Sequence, residues 1–372
     1  MKFIVFAEDW GKHPSSTQHI FKLISKQHSV MWFNSVGMRK PSFNWVDVKR
    51  LFNKFLLMCT KQQSSKIPTT QPVNLQNPFV LPWHDNTLVN RFNKHQVMKC
   101  IKGLSDDSII YWVSVPTAVD MIHVRPQDTL IYYCGDDFES LAGVDHTMIK
   151  HCEERLIHKA DYIFVASQKL LKKMPTHKTQ VLEHGVDYDL FTHRTFRHQI
   201  MKKLDNVIGF YGSISTWLDY ELLLKIAKER PNYQLLLIGK AHVNIEQLVA
   251  LDNVMHIGEV KHSELIHFSQ HWQVSILPFC DNGQIRACNP LKLKEYLAVG
   301  KPVVSTRFPA VESFKDIVFL ADDHDGFIAR LDYAMYVSQN SPFDWQHGSQ
   351  NYVKKHSWQH KAQYVLEQLG MS

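Results

Sequence analysis

Short runs of unbroken apolar residues, set between helix-forming stretches, constrain this 372-residue chain more than any other feature. KFIVFA opens it, and HSVMWFNS, SIIYWVS, TLIYYC and YIFVAS follow. A strand with one wet face alternates apolar and polar residues, whereas an unbroken run is covered on both faces. Strands of that kind alternating with helices predict a parallel sheet sandwiched between helical layers.

The intervening segments fit that grammar. In EDWGKHPSSTQHIFKLISK, Gly11 and Pro14 mark a loop, Ser15, Ser16 and Thr17 can cap, and His19 to Lys26 read as a helix. PTAVDMI is helix-like, a long helix runs from about His146 to Lys159, and KLLKKM is a shorter one. The stretch at 78–82, PFVLP, reads as a short strand, and KTQVLEHGVDYDLF closes the first half. Thr192 to Asn206 is polar, lacks apolar periodicity and reads as a linker. VIGFYGSISTWLDYELLLKIAKERP then restarts the pattern, and QLLLIG, VMHIG, VSILPF, PVVST and IVFLA supply further strands. Two α/β domains follow, over 1–191 and 207–345, with amphipathic helices over 346–372; such a length exceeds one ordinary core.

Composition excludes several classes. With 44% hydrophobic and 21% charged residues the chain is globular, and no apolar run is long enough to span a bilayer. MKFIVFAEDW lacks a cleavage site and reads as a strand. Cys59, Cys100, Cys134, Cys152, Cys280 and Cys288 form no CxxC pair, which points to reduced thiols and a cytoplasmic location. Among 22 histidines no HExxH occurs, and neither His151 with His158 nor His262 with His267 has a metal-site spacing, so no metal is expected. No GxGxxG follows a strand, against a dinucleotide enzyme, and no nucleic-acid module is visible. Residues 1–80 carry a net +8 while the rest sum to −2. Part of that basic excess lies in Trp45–Met58, whose apolar residues recur at helical spacing. It reads as a surface helix, or as a peripheral contact with an anionic membrane.

The densest chemistry lies in NPLKLKEYLAVGKPVV, from Asn289 to Val304. It reads as a loop, an amphipathic helix, a glycine stop and a buried strand. Helix N-termini carry unpaired N–H groups and partial positive charge, which suit an anion. Asn289 and Lys292 at the mouth suit a diphosphate, and Glu295 one turn further can accept from ribose hydroxyls. Gly212 and Ser213, between strand and helix, let backbone amides approach a phosphate. In open α/β sheets ligands gather at carboxyl ends of strands, which makes Asp136 and Asp137, after TLIYYC, candidates for a general base. Glu8, Asp9 and His184 are lesser candidates. Gly11 permits close approach of the first domain to a ligand, while Trp10, His13 and Trp112 could stack on sugar rings.

The second half resembles the donor domain of GT-B glycosyltransferases similar to family four, through GFYGSIS, LLLIGK, NVMHIGEV, VSILPF, NPLKLKEYLAVGKPVVST and HSWQHKAQ, in that order and spacing. The first half is similar to acceptor domains of a bacterial, teichuronic-acid-type branch, through EDWGKHPSS, NSVGMRKP, YYCGDDF and LEHGVDYDLF. The resemblance implies two Rossmann-like domains facing across a cleft, with the last helix crossing back to the first. It implies donor contacts from Gly239, Gly258 and Val260, beside Gly212, Ser213, Leu291, Lys292 and Glu295. The chain departs from the family twice. Ala287 stands where many members carry a first glutamate, separated from the second by seven residues, and no cation follows Gly212, so Lys292 with Arg286 must carry the charge. The expected activity is metal-independent transfer of a sugar from a nucleoside diphosphate, with uridine favoured, to a hydroxyl of a glycan or lipid-linked saccharide. No cofactor is expected beyond that co-substrate. A nucleotide-sugar epimerase and a non-catalytic nucleotide-sugar or glycan-binding protein are the competing readings.

Overall fold

The computed structural model describes residues 2–11, 15–34, 73–84, 86–103, 108–138, 145–286, 288 and 291–371. The chain divides into two compact units, Met1–Glu183 and His184–Ser372.

In the first unit the apolar runs become strands β1 (Lys2–Phe6), β2 (Ser29–Phe33), β3 (Asn74–Gln76), β4 (Ile109–Val113), β5 (Thr129–Cys134), β6 (Tyr162–Val165) and β7 (Thr179–Val181). They pair in parallel in the order β3-β2-β1-β4-β5-β6-β7. Every residue of β4 is buried, as an unbroken apolar run in a central strand requires. Trp112 of β4 lies within the core, edge-on to Phe21 at 5.3 Å and stacked near Tyr133 and Phe164. The first helix, Ser16–Ile24, begins earlier than its periodicity suggests, because the Ser15 hydroxyl accepts from the Gln18 amide at 3.2 Å and caps it.

Two local expectations fail here. The strand expected at 78–82 is absent, and its neighbour Asn74–Gln76 pairs with β2 instead. Pro78 and Pro82 have no N–H to give a ladder, which explains the shift. PTAVDMI forms a short 3₁₀ turn, Pro116–Asp120, rather than an α-helix. The basic stretch Trp45–Met58 lies outside the described residues.

The second unit contains β8 (Val207–Tyr211), β9 (Gln234–Ile238), β10 (Val254–His256), β11 (Val274–Leu277), β12 (Val303–Thr306) and β13 (Phe319–Ala321). They form a parallel sheet ordered β10-β9-β8-β11-β12-β13. The order reverses between β8 and β11, so a crevice opens beyond their carboxyl ends. Gly209 in β8 is covered by the Trp272 indole, and a Cβ there would fall 1.9 Å from the ring. Residues 192–206, read as a linker, belong to this unit: the Gln270 amide donates to the Phe191 and His193 carbonyls, and Arg197 donates to the Leu204 carbonyl. Helices His324–Asn340, Pro342–Lys354 and Trp358–Gln368 close the chain. Trp358 packs where Gly185 lacks a side chain, beside a bridge between Val186 and Ser357. Among the described residues no helix is long and apolar enough to cross a membrane.

Candidate functional site

Three chain segments meet at the carboxyl ends of β8 and β9. Gly212 follows β8 with φ +133°, and Gly239 follows β9 with φ +137°, both conformations that L side chains rarely adopt. The Gly212 amide donates to the Ile238 carbonyl at 2.8 Å, and the Gly239 amide donates to the Gly258 carbonyl at 2.6 Å. A Cβ on Gly239 would lie 2.1 Å from the Gly212 carbonyl oxygen. A Cβ on Gly212 would lie 2.3 Å from the Lys292 ammonium. The glycines therefore let two turns and one lysine share a space that side chains would fill.

That lysine enters from the first turn of helix Leu291–Val299. Its ammonium sits 4.8 Å from the Phe210 ring centroid and 5.7 Å from that of Phe279. Among the described residues it has neither a hydrogen bond nor an ion pair. Burial lowers its pKa from the ordinary lysine value, while the charges of Glu295 and Cys288 oppose that shift. Two aromatic faces compensate a desolvated cation only in part. An arrangement of this kind is completed by an anion.

Glu295 lies on the same helix, and its side chain is 5% exposed. One carboxylate oxygen accepts from the Tyr211 hydroxyl at 2.7 Å, and the other meets His262 Nε2 at 2.7 Å. The bond to Glu295 raises the His262 pKa against the opposing effect of burial. Burial, with Glu295 second, pushes the Tyr211 hydroxyl well above its usual value, so it donates as a neutral phenol. Tyr211 is fixed in turn: its backbone amide donates to the Tyr296 hydroxyl at 2.9 Å, and the two rings meet edge-on at 4.7 Å. Lys292, Glu295, Tyr211 and His262 line one open cavity of about 360 Å³.

A cation that pairs with no anion among the described residues, two left-handed glycines and a buried carboxylate at one sheet edge suit a ligand with an anionic group and hydroxyls. Comparison with known proteins agrees. The model of the family described as "Glycosyl transferases group 1" matches residues 193–330. Over 285 residues the chain is 26% identical to a putative teichuronic acid biosynthesis glycosyltransferase, TuaH, of Bacillus subtilis, covering 70% of this chain and 71% of that one. Among solved structures it is similar to a glycosyltransferase from Rickettsia africae (TM-score 0.65, 14% identity, covering 98% and 97% of the two chains). It is likewise similar to Anabaena HepE in complex with UDP and glucose (TM-score 0.62, 13% identity, all of both chains). Residues 193–330 form a glycosyl transferases group 1 domain, and the chain has the GT-B fold.

Most of the donor residues expected from the sequence converge. Gly212, Ser213, Gly239, Val260, Leu291, Lys292 and Glu295 all border the cavity. Gly258 supports it from behind through its carbonyl. Arg286 does not join them: it is exposed and forms a bidentate pair with Asp281 at 2.6 Å, so its charge is already met on its own loop. Lys294, which could have faced water, is buried and donates to the His184 carbonyl at 2.8 Å. Asn289, Ala287 and His13 lie outside the described residues.

In the first unit the candidates divide by what they already hold. Asp137 receives Lys173 at 2.8 Å and Lys169 at 3.4 Å, and the Lys173 bond, ahead of burial, holds its carboxyl below the usual range. A carboxylate between two ammonium groups is a weak base, so the ion-pair role displaces the catalytic one expected for it. Asp136 is exposed; its backbone carbonyl accepts from the Cys134 thiol at 3.3 Å, and among the described residues no hydrogen bond or ion pair reaches its carboxylate. Glu8 accepts from the Ser15 hydroxyl and from Gln18 at 3.3 Å, tying β1 to the helix behind it. The Asp9 carbonyl accepts from Gln18 as well. Gly11 has φ +82°, and its amide donates to Gln18. Trp10 stands edge-on to Trp32 at 4.7 Å and remains partly exposed, whereas Trp112 is wholly buried and offers no face to a sugar.

Sequence reasoning missed Tyr211, Lys240, Glu259 and His262, all of which border the cavity. Tyr211 and Lys240 each sit one residue from a glycine that ends a strand, and that position was the available signal. His262 gave none, since its partner is 33 residues away.

Proposed function

We propose that this chain transfers a sugar from a nucleoside-diphosphate sugar, with uridine as the base, to a hydroxyl of a glycan or lipid-linked saccharide during synthesis of cell-surface polysaccharide. The observation that carries the donor half is the Lys292 ammonium, held against two phenyl rings with no hydrogen-bonded or ion-paired anion among the described residues. Charge-assisted hydrogen bonds are worth about 1.5–3 kcal/mol each, so a diphosphate would repay that desolvation. Glu295, immobilised by Tyr211 and His262, keeps lone pairs for ribose hydroxyls. HepE complexes with UDP-glucose, and the E. coli structure bound with UDP-2-fluoro glucose (TM-score 0.65), support the choice of base. The TuaH relative supports the polysaccharide acceptor.

In this reading Lys292 and the amides after β8 neutralise the departing diphosphate, without a resident metal. Asp136 takes the acceptor proton, because Asp137 is committed to its lysines. Activity that died with EDTA and returned with Mn²⁺ would contradict the metal-free step. A thermal-shift panel of nucleoside diphosphates tests the donor: UDP should raise the melting temperature of the native chain and leave that of Lys292→Ala unchanged.

A further inference from the structure

His262 stands on a turn beyond β10, in the short 3₁₀ segment His262–Glu264, and beyond its bond to Glu295 the chemistry above gives its charge no part. Its Nε2 lies 2.7 Å from the Glu295 carboxylate, while half of its side chain remains exposed on the cavity rim. The Phe191 ring meets the imidazole edge-on at 5.4 Å and limits its swing. Glu295 is thus clamped from both sides, by a phenol that cannot ionise near neutral pH and by a ring that can carry a proton. Two of the roughly four lone-pair sites of a carboxylate are occupied, and the remaining pair faces whatever hydroxyls arrive.

We propose that His262 is a positioning residue for the donor: it aims Glu295 at the ribose and, when protonated, adds a second positive charge beside Lys292 for the diphosphate. This rests on the nucleotide-sugar reading and assigns a new part in it. The charged groups around the imidazole are Glu295 and Lys292 on helix Leu291–Val299, Asp187 before helix Tyr188–Thr192, Lys240 and Glu259 on the cavity wall, and Lys261 and Glu264 on its own turn. Glu295 and Asp187 favour the imidazolium, so His262 keeps its charge to higher pH than an isolated histidine. Protonated or neutral, Nε2–H can still donate to Glu295. What titrates is the charge available to the ligand, and affinity for UDP falls as pH rises through the raised pKa.

The test is calorimetric titration of UDP into the full chain from about pH 6 to about pH 9, with wild type, His262→Ala, His262→Gln and Lys292→Ala. Glutamine retains an N–H for Glu295 and cannot be charged. The expected result is about tenfold weaker binding for His262→Ala at the acid end, substantial recovery with His262→Gln, and a wild-type to Gln affinity ratio that shrinks with pH. Ionisation of UDP is common to both proteins and cancels in that ratio. Unaltered affinity in His262→Ala, or a ratio flat with pH, would overturn the proposal while leaving the donor site intact. Unaltered affinity in Lys292→Ala would overturn the donor site itself. Should the alanine variant fold poorly, the glutamine series alone decides the charge.

Discussion

The carboxyl ends of the two sheets treat charge in opposite ways. In the first unit the acidic groups there are largely spent on the protein: Asp137 on two lysines, Glu8 on Ser15 and Gln18. In the second unit Lys292 is desolvated against two aromatic faces, and its ammonium has no hydrogen bond or ion pair among the described residues. A met charge contributes to the fold and little to chemistry. A desolvated charge left unmet costs stability, and that cost marks a place where something else binds.

The largest effect should come from removing the unmet charge. Lys292→Ala should lower kcat/KM by about three orders of magnitude, as expected when charge-assisted bonds to a departing diphosphate are lost. Replacing the same residue with methionine should leave the melting temperature equal to wild type or raise it by about 2–4 °C. A fall in both activity and melting temperature would mean that Lys292 supports the fold. Gly239→Ala comes next, because its Cβ would meet the Gly212 carbonyl at 2.1 Å under a left-handed φ. Denaturant unfolding should show a loss of about 3 kcal/mol.

Asp136→Asn sharpens the contrast within the first unit. If Asp136 is the base, kcat should fall about a hundredfold with UDP affinity unchanged; near-normal turnover would remove it from the mechanism. The smallest effect belongs to Asp137→Asn, about 1 kcal/mol of stability with turnover within about threefold. Its pH dependence has a definite sign. The lysines depress the carboxyl pKa in the folded state, so the contribution is present above the unfolded value and lost as pH falls through the folded one. The variant and wild type should therefore converge in stability as pH falls below the usual aspartate range and through the depressed folded-state pKa.

These contrasts also separate what the residues reveal from what they hide. The strands were legible because parallel pairing buries both faces, and unbroken runs such as IIYWV and QLLLI have no other economical use. Lys292 and Glu295 were legible because one helical turn carries both toward the same side. The role of Asp137 was hidden: it depends on lysines 32 and 36 positions later, which only the placement of β5 beside β6 brings near. His262 and Tyr211 were hidden for the same reason, since they reach Glu295 across 33 and 84 positions. Arg286 misled because its neighbour Asp281 wraps back onto it. Local pattern encodes elements and their faces; which charge meets which is decided by topology.

Isothermal titration of UDP against wild type and Lys292→Met at matched pH weighs the central claim most directly. Saturable, exothermic binding by the wild type, with the methionine variant folded but about a hundredfold weaker or silent, is the predicted result. Equal affinity in both proteins would place the pyrophosphate elsewhere and remove the basis for the site described at residues 291–295.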